Sequence, residues 1–114
     1  MNATALLQKL RKARTELADL GEGKKLSFLR PPEAEFGTLS RGVTVELIVK
    51  YSTGWEGFVE HDLLRNGNQD PVEFHAEVWA EMLADRADWI TNVANAMVEA
   101  CTRRFELRKD ALGN

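Results

Sequence analysis

Read for the spacing of its apolar residues, the chain divides into segments with different periods. Near the start, Leu6, Leu10, Ala13, Leu17 and Leu20 recur at alternating steps of four and three, which predicts an amphipathic helix over residues 3–20. The stripe is narrow, as suits a helix that packs against a single partner surface. Its basic residues (Lys9, Arg11, Lys12, Arg14) precede its acidic ones (Glu16, Asp19), an order that opposes the helix macrodipole and leaves the isolated helix marginal. The sequence "GEGKK" then stops it, with Gly21 or Gly23 available for a left-handed terminal position.

"KLSFL" reads as a short strand, and Pro31 and Pro32 end it. Glu33 to Leu39 is expected to form a helical turn. After Gly42, Val43, Val45, Leu47, Val49 and Tyr51 alternate with Thr44, Glu46, Ile48 and Lys50. That period of two predicts the strongest strand of the chain, with one face buried. Further on, Asp70, Pro71 and Glu73 have the order of an N-cap, a first helical residue and a capping-box partner. A helix is expected from Pro71 to about Ala84, burying Phe74, Val78, Trp79, Met82 and Leu83. Asp85 is placed to cap a last helix whose inner face holds Ile90, Val93, Ala94, Met97, Cys101 and Phe105, with fraying past Arg104. These elements predict an α+β fold: a small antiparallel sheet centred on Val43–Tyr51, packed against two C-terminal helices. The N-terminal amphipathic helix is expected to project or to pair with a neighbour.

The 114 residues suit one domain spanning 1–114 with a core over about 24–108, and 44% hydrophobic with 29% charged residues is an ordinary globular balance. The net charge of -3 provides no concentrated basic face, so nucleic acid is not an expected partner. Lys9, Arg11 and Lys12 interrupt any signal-peptide core. No apolar run approaches the roughly 20 residues of a membrane span. A cytoplasmic chain is expected, and the lone Cys101, on the buried helix stripe, agrees with a reducing compartment.

Candidate chemistry is sparse. Glu60, His61 and Asp62 with Glu73 and His75 collect two histidines and three carboxylates, but no HExxH or CxxC spacing makes them converge. Neither a metal nor any other cofactor is expected. Cys101 has no histidine nearby in sequence to activate it, and "GEGKK" follows a predicted helix and lacks the Walker spacing. The basic cluster of "LQKLRKAR" is a solvated helix face or a dock for an acidic partner, the first being the commoner outcome. In "YSTGWEG", Gly54 and Gly57 can take positive φ in a turn that ends the strand. Trp55 then either plugs the open end of the core, as tryptophan in so small a domain usually does, or forms with Phe58 an exposed aromatic anchor for a protein partner.

The order "VELIVKYSTGWEGF", "EHDLL", a Gly/Asn loop and "DPVEFHAEVWAEMLADRADW" resembles the tail assembly chaperones of long-tailed bacteriophages and prophages. The resemblance covers roughly residues 43–108. It rests on Tyr51, Thr53, Gly54 and Trp55 and on Trp79, Ala84, Asp85 and Arg86. It implies a non-enzymatic protein of the host cytoplasm that coats the tape-measure protein and helps recruit the major tail protein; a homo-oligomer is expected separately, from the N-terminal helix swapping or pairing with a neighbour. In many such chaperones a ribosomal frameshift yields a longer minority product. The alternatives are a structural tail or head-completion protein that stays in the virion and, less favoured, a small metal-dependent enzyme. Leu6, Leu10 and Leu17 are the expected protein-binding residues, with Trp55 and Phe58 after them.

Overall fold

The computed structural model describes residues 2–111. Helix α1 (Ala3–Ala13) is followed by strands β1 (Thr15–Gly21) and β2 (Lys24–Leu29), a 3-10 turn (Glu33–Glu35), and helices α2 (Phe36–Ser40) and α3 (Val45–Tyr51). Strand β3 (Ser52–Glu56) and helices α4 (Glu60–Leu63), α5 (Ala76–Ala84) and α6 (Ala87–Ala111) complete the chain. The fold is α+β, with three antiparallel strands in the order β1-β2-β3.

The predicted helix over 3–20 is two elements. Asn2 caps α1 by accepting the Ala5 amide at 2.8 Å, and the Thr15 hydroxyl donates to the Arg11 carbonyl at 2.9 Å where the helix stops. From Thr15 the chain is extended, with Ala18 and Leu20 buried and Leu17 and Asp19 outside. Leu17 and Leu20, three apart, share a face only in a helix. Tertiary contact chose the strand because Ala18 and Leu20 can enter the core beneath α6. The hairpin is closed by Gly21, Glu22 and Gly23, all with positive φ (86°, 54° and 77°), and the Asp19 carboxylate accepts the Gly21 amide at 2.8 Å. Two glycines between two short apolar runs are a hairpin signal as well as a helix stop. The sheet core therefore begins at residue 15, ahead of the expected 24.

The second departure is larger. Residues Val45–Tyr51 form helix α3, capped by Thr44, whose hydroxyl accepts the Leu47 amide at 3.2 Å. A strand would have put Ile48 on the polar side with Thr44, Glu46 and Lys50. The helix instead buries Ile48 completely, together with Leu47, so the apolar area removed from water outweighs the strand preference of the three β-branched residues Val45, Ile48 and Val49. The sheet is accordingly centred on β2, the "KLSFL" strand, where Leu26 and Phe28 are fully buried.

Helix α5 starts at Ala76, not Pro71, with His75 as its cap. The stretch before it is extended, because Asp70 and Val72 pair with the backbone of Glu60 and Phe58 at 3.0 Å each. Pro71, with its fixed φ and missing donor, is as well suited to that edge bridge as to a helix start. Asp85 closes α5 and does not cap α6. Helix α6 continues through Ala111, beyond the expected fraying point, and near its end Arg108 binds Glu33 at 2.8 Å. The core joins Leu20, Leu26 and Phe28 of the sheet to Ile48 of α3, Trp79 and Leu83 of α5, and Trp89, Val93 and Met97 of α6.

Candidate functional site

The body fills its own core, but α1 contributes nothing to it. None of the eleven residues of α1 is buried, and Leu6, Leu7 and Leu10 are 49%, 49% and 53% exposed. Lys9, Arg11, Lys12 and Arg14 surround them with no acidic residue on the helix. A helix that propagates on so little burial is marginal alone, so the exposed leucines constitute a surface in want of a cover. Leu17, expected on the same stripe, lies instead on the outer face of β1, 57% exposed. The structure thus groups Leu6 and Leu10 with Leu7 and separates Leu17 from them.

The aromatic pair of "YSTGWEGF" has the other fate. Phe58 is buried, and Trp55 stacks on it with ring centroids 4.2 Å apart. The half-buried Trp55 donates from its indole nitrogen to the Val72 carbonyl at 2.8 Å and packs edge-on against Phe74 and Trp79. It is a plug, and Phe58 is core, so the two do not make an exposed anchor. Gly54 lies within β3 and the positive φ belongs to Gly57, at 85°. The other residues that carry the resemblance, except the exposed Thr53, also have structural work. The Tyr51 hydroxyl donates to Glu35 at 2.8 Å, Trp79 is fully buried, Ala84 and Asp85 end α5, and Arg86 stacks 3.9 Å over the Trp89 ring.

The histidine and carboxylate cluster does not assemble. Asp62 accepts the Val59 amide at 2.8 Å and pairs with the buried Lys24 at 3.1 Å. The Nδ1 of His75 accepts the Glu77 amide, while His61 and Glu73 are exposed on separate segments. Among the described residues no group of three or more His, Cys, Asp and Glu side chains could hold a metal ion. Cys101 is buried with its Sγ 3.7 Å from the Pro31 carbonyl, and burial pushes its thiol pKa up despite the opposing charge of Arg30, the reverse of an activated nucleophile. No described helix is long and apolar enough to cross a membrane.

Burial alone would raise the Asp62 carboxyl, but the Val59 amide and the Lys24 ammonium outweigh it and hold the pKa below the usual carboxylate value. A carboxyl depressed in the folded state contributes stability above its unfolded value of about 3.9, lost as pH falls through the lower folded value. Asp62→Asn is therefore expected to lower the melting temperature near neutral pH, where the buried Lys24 keeps only the longer pair with the exposed Glu22, at 3.5 Å. The gap to the parent should narrow below about pH 4, and parallel melting profiles would show that the pair carries no such linkage.

The feature that single-chain reading missed is a gathering of arginines. Arg14 from the end of α1, Arg30 after β2 and Arg104 from α6 line one cleft, brought together from positions 16 and 74 residues apart, with no shared motif to announce them. No family model matches the chain, and neither a curated protein nor a solved structure matches it.

Proposed function

We propose that this protein is a tail assembly chaperone of a long-tailed phage or prophage, a non-enzymatic binder of the tape-measure protein acting in the host cytoplasm. One observation carries the reading beyond the resemblance: α1 offers Leu6, Leu7 and Leu10 to the outside while the rest of the chain already has a complete core. A long, partly apolar helical partner is the kind of protein such a row would cover, by helix-on-helix packing. Recruitment of the major tail protein and self-association along the partner complete the proposal.

Co-expression with the tape-measure protein encoded beside this gene tests it directly. Purification through a tag on the partner should yield a complex containing several copies of this chain. Leu10→Asp should reduce the recovered chain about tenfold, since burying a leucine contributes about 1.5–3 kcal/mol and 1.4 kcal/mol is a factor of ten. Its melting temperature should change little, because Leu10 is outside the core. If the partner stays insoluble while this chain purifies alone and folded, the chaperone reading fails. Presence of the chain in finished virions would replace it with a retained tail component.

A further inference from the structure

We infer that the cleft between Arg14, Arg30 and Arg104 is a carboxylate-binding site that anchors an acidic residue of an apolar partner segment lying along α1. The inference rests on the proposed use of α1 for its partner, and adds what that partner must carry. The cleft has a volume of about 200 Å³, with Pro31, Pro32 and Phe36 supplying apolar wall. That is below the roughly 300–1,000 Å³ of small-molecule pockets and closer to the size of one side chain. An aliphatic stem against the prolines and Phe36, with its head among guanidiniums, describes glutamate or aspartate.

The Arg14 guanidinium is fixed, and among the described residues none of the three arginines makes an ion pair. Arg14 donates from Nε and Nη2 to the Arg30 carbonyl at 3.2 and 2.8 Å, and the Arg30 amide donates to the Arg14 carbonyl at 2.8 Å. The carboxylate that also lines the cleft, Glu33, is held by Arg108 at 2.8 Å, and nearby Glu16 is bridged by Arg103 at 3.6 Å. Burial, then the like charges of Arg104 and Arg14, lower the Arg30 pKa from the ordinary guanidinium value. Three cations lining one cleft, whose nearby carboxylates Glu33 and Glu16 are engaged by Arg108 and Arg103, are relieved by an oxyanion, which the guanidinium forks of Arg30 and Arg104 can grip through paired N–H donors.

The cleft is also continuous with the apolar row. Arg14 keeps helical backbone geometry at the end of α1, so Leu7, Leu10 and Arg14 stand at i, i+3 and i+7 on one face. A segment covering Leu7 and Leu10 runs into the arginines, where an acidic residue meets three positive groups and an apolar one leaves them unpaired.

The test is an NMR titration of the arginine Nε–H signals in ~0.15 M salt, which screens exposed charges beyond a Debye length. N-acetyl-glutamate amide is the probe and N-acetyl-glutamine amide the uncharged control. Saturating shifts confined to Arg14, Arg30 and Arg104, absent with the control and weakened about tenfold in the exposed-site variant Arg104→Gln, are expected. Inorganic phosphate binding more tightly than the glutamate probe would reassign the site to free phosphate. A non-saturating drift of every arginine would eliminate it. The two readings fail separately: saturation with no capture of the tape-measure protein removes the proposed function alone, and capture unaffected by Arg104→Gln with no saturation removes the site alone.

Discussion

Trp79→Ala is expected to remove about 3–5 kcal/mol from the free energy of unfolding, the usual cost of truncating a fully buried large aromatic. A domain of this size has only about 5–15 kcal/mol in total, so the variant should be largely unfolded at modest denaturant. The Trp79 ring is fully buried, with the rings of Trp89, Trp55 and Phe58 at 5.9, 6.0 and 6.2 Å. Removing it leaves a cavity that three ring neighbours on different elements cannot all close. A polar contribution adds to the packing. The indole nitrogen donates to the Ser52 hydroxyl at 3.0 Å, which in turn donates to the Ile48 carbonyl at 2.7 Å. Helix α5 is thereby tied to the junction at which α3 becomes β3. Trp79→Phe, which keeps a ring and drops the donor, should cost less, about 1–2 kcal/mol. Guanidinium denaturation followed by circular dichroism measures both. A loss under about 1 kcal/mol for the alanine variant would mean that the aromatic cluster does not hold the helices to the sheet.

Gly57→Ala should cost about 2–5 kcal/mol, combining roughly 1–2 for a left-handed residue with a Cβ and about 1–3 for overpacking. Gly57 has φ 85°, and a Cβ there would stand 2.3 Å from the Gly23 carbonyl oxygen and 3.2 Å from the Lys24 Cα. These are backbone atoms of the β1–β2 hairpin, so no side-chain rotation relieves the contact. The close approach lets the chain leave β3 and turn Phe58 under the sheet. Gly54, on the other side of Trp55, is the internal control. It has no positive φ and open space where a Cβ would go, so Gly54→Ala should be neutral or stabilise by a few tenths of a kcal/mol through the unfolded chain. Equal losses for the two variants would show that the turn's backbone is not what Gly57 provides.

The two glycines illustrate how far the residues could be read. "YSTGWEG" announces a turn beside an aromatic plug, and the plug is where it was favoured, but the turn needs Gly57 and leaves Gly54 to the strand. Similarly, "KLSFL" is a strand and "MLADRADWI" spans a helix boundary, each because strong local signals agree with the eventual packing. Local signals failed where two periods fit the same letters. Leu17 and Leu20 suit a helix, yet Ala18 and Leu20 suit a strand. Val43 to Tyr51 alternates convincingly except for Ile48, the one large apolar residue on the polar side, which proved to mark the helix.

For the proposed site, only the exposure of Leu6 and Leu10 was legible, because a leucine row on a basic helix is conspicuous and remains uncovered. The burial of Phe58 was not, since it depends on which neighbours arrive from elsewhere in the chain, and Leu17 is exposed on β1 and not on the helix row. The arginine cleft lay entirely outside local reading, because three isolated guanidiniums acquire meaning only when β2, α1 and α6 bring them together.

By itself, then, the order of residues determined the class: an α+β fold with a short antiparallel sheet, a helical C-terminal half with Trp79 on its buried side, and a leucine-bearing N-terminal helix. Those features follow from capping residues, glycine and proline positions and a sufficient count of apolar side chains, all of which act over a few residues. Only the tertiary structure decided where α1 gives way to β1, that Val45–Tyr51 is helical, and which arginines share a cleft. Each of those outcomes turns on apolar area buried or charges assembled between segments distant in sequence, and that free energy exists only once the segments meet.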